Sequence, residues 1–96
     1  MIVITKTEHG ITVKGHANYA EPGKDIVCAA ISTLAQTLIY SIEDLAESQI
    51  KYHISPGTVD IKYWDLSKDA QLLVNSFFIG CQMIADNYPD NVRVEK

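Results

Sequence analysis

Ile50-Lys51-Tyr52-His53-Ile54-Ser55-Pro56-Gly57-Thr58-Val59-Asp60-Ile61-Lys62-Tyr63-Trp64 carries the clearest periodicity in the chain. Ile50, Tyr52 and Ile54 alternate with Lys51, His53 and Ser55. Beyond a Pro56-Gly57 turn, Val59, Ile61 and Tyr63 alternate with Asp60, Lys62 and Trp64. A period of two predicts a hairpin with one face on a core and one facing water. Upstream, Val27, Ile31, Leu34, Leu38, Ile42 and Leu45 follow helical spacing, which predicts a helix from Ile26 to about Ser48 with Asp25 as its cap. Downstream, Asp65 and Ser67 precede a second helical stripe of Ala70, Leu73, Phe77, Cys81, Ile84 and Tyr88 over Lys68–Asn87, stopped by Pro89. β-branched runs at Ile2–Thr5 and Ile11–Val13 flank a Glu8-His9-Gly10 turn, and Val92 and Val94 suit a short last strand. The order is ββαββαβ: a two-layer α+β domain, one sheet with two helices packed on one face, filling residues 1–96 as a single unit.

The 96 residues are 47% hydrophobic and carry a formal charge of −4. A domain this short buries only about 60–65% of its unfolded surface, which leaves dimerisation open. Without a basic run, the acidic balance argues against nucleic acid or an anionic membrane surface as a direct partner. Two cysteines are too few for a disulfide scaffold. No signal peptide is apparent, and no apolar run is expected to reach the roughly 20 residues of a membrane span. The expectation is a reduced, cytoplasmic protein. Neither Cys-x-x-Cys nor His-x-x-x-His spacing occurs, so no metal is expected, and no Gly-rich phosphate loop follows a strand, so no cofactor is implied. Phe77, Phe78 and Trp64 fit core positions better than base-stacking ones.

The two cysteines differ in setting. Cys81 lies on a helix stripe with Phe77 and Ile84 and reads as a small buried hydrophobe. Cys28 lies in the first turn of a helix, where unpaired N–H groups and the dipole favour a thiolate and can hold an oxyanion. That turn, Ile26 to Ile31, has no polar residue on any face and should be covered all round. His16 ends the second strand just before an irregular loop, Ala17 to Asp25, so it can be carried beside Cys28 and exchange a proton with it. His9 and His53 read as surface residues. Asp25 either caps the helix or orients His16, and capping is preferred. Ser32, one turn after Cys28, can reach the sulfur or a substrate carbonyl. The loop residues Tyr19, Pro22 and Gly23 are expected to contact substrate, with Pro22 and Gly23 as pivots.

The string Gly15-His16-Ala17, a loop, then Gly23-Lys24-Asp25-Ile26-Val27-Cys28-Ala29-Ala30-Ile31-Ser32 resembles the signature of the ribosomal-processing cysteine protease family, Prp. The resemblance implies a small homodimeric endopeptidase that removes a short N-terminal extension from large-subunit ribosomal protein L twenty-seven, cutting after a Phe-Phe-Ala-like segment. It also implies phage relatives, acting on a capsid or scaffold protein. Cys28 would be the nucleophile, His16 the acid/base, and Asp25 and Ser32 supporting residues. The rival readings are a non-catalytic dimeric module binding a ribosomal or assembly partner and, weakened by the charge, a ribosomal-RNA chaperone.

Overall fold

The structure is a computed structural model and describes residues 1–96. Its elements are β1 (Ile2–Thr7), β2 (Gly10–Lys14), α1 (Ile26–Leu45), β3 (Lys51–Ser55), β4 (Thr58–Lys62), α2 (Lys68–Asn87) and β5 (Val92–Glu95). The sheet order is β3-β4-β2-β1-β5. All neighbours are antiparallel except β1 and β5, which run parallel after the α2 crossover.

The register explains the single core. Ile4 faces Val13, Ile11 faces Ile61, Val13 faces Val59 and Ile2 faces Val92 across successive ladders. All of these are buried, as are Ile31, Ile39 and Ile42 of α1 and Val74, Phe77 and Phe78 of α2. Truncating one of the buried isoleucines to Ala would cost about 2–5 kcal/mol. The alternate strand residues Thr5, Thr12 and Asp60 are only half-buried, so both helices share one face of the sheet, as the sequence predicts.

The differences from the sequence reading have local causes. Helix α1 ends at Leu45, short of Ser48, because Glu47 adopts φ +46. The Ser67 hydroxyl donates to the Ala46 carbonyl at 2.7 Å, and the Ser67 N–H donates to the Ser48 hydroxyl at 2.7 Å. That joint turns Ala46 into the core and leaves Leu45 exposed. The apolar face of β3 is not covered: Tyr52 and Ile54 pair with buried Ile61 and Val59, yet remain exposed, because β3 is an edge strand and the helical layer stops at β4. Trp64, past the end of β4, is exposed rather than in the core, with the Lys51 ammonium 6.0 Å from its ring. Nor is the first turn of α1 covered all round, since Ile26 is 58% exposed. Finally, α1 does have the length and apolarity of a membrane span, with a mean hydropathy of 1.5, contrary to expectation. In this fold its most apolar stripe is the one that meets the sheet and α2.

Candidate active site

Two chain segments meet where β2 ends and α1 begins. Gly15 leaves β2 at φ +102, and a Cβ there would run into the Met1 carbonyl, so only glycine permits the exit. The Gly15 N–H donates to the Gly57 carbonyl at 2.9 Å, tying this exit to the β3–β4 turn. His16 follows, and its imidazole lies over that turn: a Cβ on Gly57 would stand 2.8 Å from Nε2. Ala17 is buried, and its carbonyl accepts from Asn91 Nδ2 at 2.9 Å. Its N–H donates to Cys28 Sγ at 3.4 Å.

Asp25 holds the other segment. Its Oδ1 accepts from the N–H groups of Val27 at 3.0 Å and Cys28 at 2.9 Å, while Oδ2 accepts from Tyr19 at 3.0 Å and Ala20 at 3.4 Å. The Cys28 N–H is the main cause holding this carboxyl below its usual value, with Ala20, Tyr19 and Val27 adding to it and partial desolvation opposing. Asp25 is therefore the helix cap and a clamp on the loop, and it makes no bond to His16. This corrects one expectation: the first-turn N–H groups of Val27 and Cys28 are taken, and are not free for an oxyanion. The backbone donor aimed at the sulfur is Ala17, which nothing in the local sequence distinguishes.

Cys28 is half-buried and lies at the junction of two open cavities. One, of about 550 Å³, runs under the loop and is lined by Pro22, Gly23 and Asp25. The other, of about 430 Å³, runs between α1 and the β3–β4 turn, past Gln36, Ile54 and Gly57. His16, Cys28 and Ser32 line both. Sγ makes no hydrogen bond to the His16 ring; it accepts from the Ala17 N–H. Pro22 and Gly23 line the cavity under the loop. Tyr19 does not: its ring packs edge-on against Tyr88 at 5.3 Å and fastens the loop to the end of α2. Asn91 and Gly57 are missed by sequence reasoning, because only the strand order brings them to His16 and Ala17. Cys81 is fully buried, and burial pushes its thiol up to about 12. His9 and His53 are exposed and line neither cavity. No group of three or more His, Cys, Asp or Glu comes together in a form that could hold a metal.

A half-buried cysteine at a capped helix start, open to cavities on both sides and with a histidine on their shared wall, is an arrangement that can serve thiol-peptidase chemistry. The cysteine protease Prp family model matches residues 1–93. The ribosomal processing cysteine protease Prp of Staphylococcus aureus is 31% identical over 87 residues, covering 88% of this chain and 82% of that one. Its counterpart in Mycoplasma genitalium is 28% identical over 96 residues, covering 100% and 96%. A crystal structure of the S. aureus protease in complex with a covalently linked product peptide superposes with a TM-score of 0.87 at 27% identity, covering 98% of this chain and 95% of that one. The chain belongs to the cysteine protease Prp family.

Proposed function

We propose that this protein is a cytoplasmic cysteine endopeptidase that removes the short N-terminal extension of large-subunit ribosomal protein L twenty-seven, cutting after a Phe-Phe-Ala-like segment. The observation that carries the reading is the position of the Cys28 sulfur, accessible from both cavities, with His16 lining each. A peptide bond laid across that junction has room for chain on either side. The S. aureus relative with a product peptide covalently attached supports the same reading.

His16 takes the Cys28 proton as the peptide arrives; apo contacts of this kind are commonly long and tighten in the substrate complex. The thiolate attacks the scissile carbonyl carbon, forming the C–S bond and an oxyanion. The Ala17 N–H, now directed at Sγ, turns to that oxyanion. The C–N bond breaks, the amine leaves with the proton from His16, and a thioester remains. Water, deprotonated by His16, attacks the thioester; the acid product departs and the Cys28 thiol is restored. Asp25 keeps the nucleophile's turn in place through the Cys28 N–H. Ser32 lines both cavities, where its hydroxyl can meet the substrate backbone.

The test is hydrolysis of a synthetic peptide carrying Phe-Phe-Ala at its centre. Cys28→Ala and His16→Ala are each expected to abolish cleavage, and Cys81→Ala to retain it. Full activity in Cys28→Ala would overturn the assignment. A non-catalytic binding module would instead leave the peptide whole and give Cys28 the iodoacetamide rate profile against pH of an ordinary thiol.

A further inference from the structure

We propose that Asn91, at the corner between α2 and β5, is a positioning residue for the peptidase reaction. Through the Ala17 carbonyl it fixes the direction of the backbone N–H aimed at the reacting sulfur. The proposal rests on the peptidase reading given above and adds a residue, 74 positions from Ala17 in the chain, that sets the oxyanion donor.

The need for a fixing group comes from Ala17 itself. Ala17 has no polar side-chain atom, and it lies beyond the end of β2, between Gly15 at φ +102 and Asn18 at φ +56. No sheet ladder therefore orients its peptide planes. Its methyl group is buried, which places the residue but leaves the flanking planes free to rotate. Its N–H meets Cys28 Sγ at 3.4 Å, and a thiol sulfur is a weak acceptor, unable to hold the donor while the sulfur moves to attack carbon. The remaining polar handle is the Ala17 carbonyl, which accepts from Asn91 Nδ2 at 2.9 Å.

Asn91 is held on both sides. Its N–H donates to the Tyr88 carbonyl at 3.0 Å, its carbonyl accepts from the Ile2 N–H at 2.9 Å, and the Val92 N–H donates to the Tyr88 carbonyl at 3.1 Å. Val92 then enters β5 opposite Ile2 of β1. The half-buried side chain thus extends from a fixed base. The same corner carries Tyr88, whose ring meets Tyr19. The two contacts straddle the left-handed turn at Asn18, with Ala17 before it and Tyr19 after it. Tying down the loop is already the work of Tyr88; Asn91 bonds the residue whose N–H faces Sγ. A donor aligned in advance costs no reorganisation when the oxyanion forms.

Asn91→Asp and Asn91→Ala test this, with thermal unfolding to establish that each is folded at the assay temperature. Asp keeps the shape of Asn but, ionised at neutral pH, has no hydrogen to donate. Val74→Ala is the control: Val74 is fully buried in α2 and lines neither cavity at Cys28, so the change lowers stability without touching the site. Three quantities are measured: hydrolysis of the Phe-Phe-Ala peptide, inhibition by a peptide aldehyde of the same sequence, and alkylation of Cys28 by iodoacetamide. The Cys28 thiol adds to the aldehyde carbon, forming the C–S bond, and the carbonyl oxygen takes the thiol proton through His16. The oxygen of that tetrahedral adduct lies where the oxyanion of the reaction forms. Removing an oxyanion donor outright costs about 100–1,000-fold in kcat, and misdirecting one is expected to cost about tenfold. Both Asn91 variants should lose that factor in kcat and in aldehyde affinity. KM and the alkylation rate should stay unchanged, because neither involves an oxyanion. Val74→Ala should lower Tm and keep all three activities. Wild-type kcat and aldehyde affinity in a folded Asn91→Asp protein overturns the proposal. So does a loss shared by alkylation or by Val74→Ala, which is the pattern of a loosened fold. Those outcomes leave the peptidase reading standing, whereas a wild-type protein that neither cleaves the peptide nor binds the aldehyde overturns both.

Discussion

Gly57→Ala isolates the role of the β3–β4 turn in holding the histidine. The added methyl would stand 2.8 Å from His16 Nε2, 3.2 Å from Cε1 and 3.6 Å from Cδ2, where ordinary contact begins at 3.4 Å. The ring must therefore move by about 0.6 Å. Misplacement of a catalytic group by about 1 Å can cost on the order of 100-fold, so a loss of about tenfold in kcat/KM is expected. Gly57 also sits at φ +73, where a Cβ costs about 1–2 kcal/mol of stability and lowers Tm by about 4–8 °C for each kcal/mol. Gly57→Asn separates the two effects, because Asn tolerates the left-handed region yet carries the same Cβ. The expected pattern is a smaller Tm loss in Gly57→Asn and a similar loss of kcat/KM in both. In a His16→Ala background, Gly57→Asn should leave the alkylation rate of Cys28 unchanged. A folded Gly57→Asn protein with wild-type kcat/KM would refute the reasoning.

Asp25→Ala removes the clamp that holds the loop and the first turn of α1. The folded carboxyl lies below its ordinary value of 3.8, so its stabilisation is complete above about pH 4 and is lost as pH falls through the depressed folded value. The Tm gap between wild type and Asp25→Ala, followed by circular dichroism from pH 7 to 2, should close at the acid end; a gap constant across that range would count against the clamp. Cys81, with its thiol raised from 9.0 to about 12, stays protonated in the fold while the unfolded chain ionises. Its contribution is therefore full below about pH 9 and declines towards about pH 12, and Cys81→Ala should flatten that part of the stability curve while costing about 1 kcal/mol at pH 7. Mass spectrometry after iodoacetamide at pH 7 should find Cys28 modified and Cys81 modified only in denaturant. Asn91→Ala deletes the donor to the Ala17 carbonyl; a loss of about 1–3 kcal/mol by urea unfolding is expected, with a fall in kcat/KM because the Ala17 N–H loses its fixed direction.

The elements were legible because their patterns are local. The stripes on α1 and α2, the β-branched runs and the Pro56-Gly57 turn each name their structure within a few residues, and Asp25 is recognisable as a cap from position alone. Strand order is not local. That β2 lies between β1 and β4 depends on which apolar faces fit together, and this order sets the Pro56-Gly57 turn under His16. The same gap explains β3. Its alternation is that of a core strand, but alternation records only that one face is apolar, and the covering layer ends before Tyr52 and Ile54. Tyr19 shows the matching limit in loops: an aromatic beside a candidate nucleophile suggests a substrate contact, whereas Tyr88, 69 positions away in sequence, gives it a structural partner. Cys28 and His16 are candidates by position alone, because each sits at the end of a regular element.

The two oxygens of Asp25 divide their work, and that division bears on how a loop beside a nucleophile can move. Oδ1 serves only the helix, through Val27 and Cys28, and Oδ2 serves only the loop, through Tyr19 and Ala20. The loop can therefore lift from Oδ2, exchanging two exposed hydrogen bonds for water, while Oδ1 keeps the turn that carries Cys28 capped. Exposed bonds of this kind contribute only about 0.5–1.5 kcal/mol each, and the Tyr19–Tyr88 edge contact adds about 0.5–1.5 kcal/mol. A peptide that buries a few apolar side chains at about 25 cal/mol per Å² gains enough to displace that closure. Opening at the loop and rigidity at the sulfur are then compatible in one residue. Had a single oxygen held both segments, each opening would also have loosened the nucleophile.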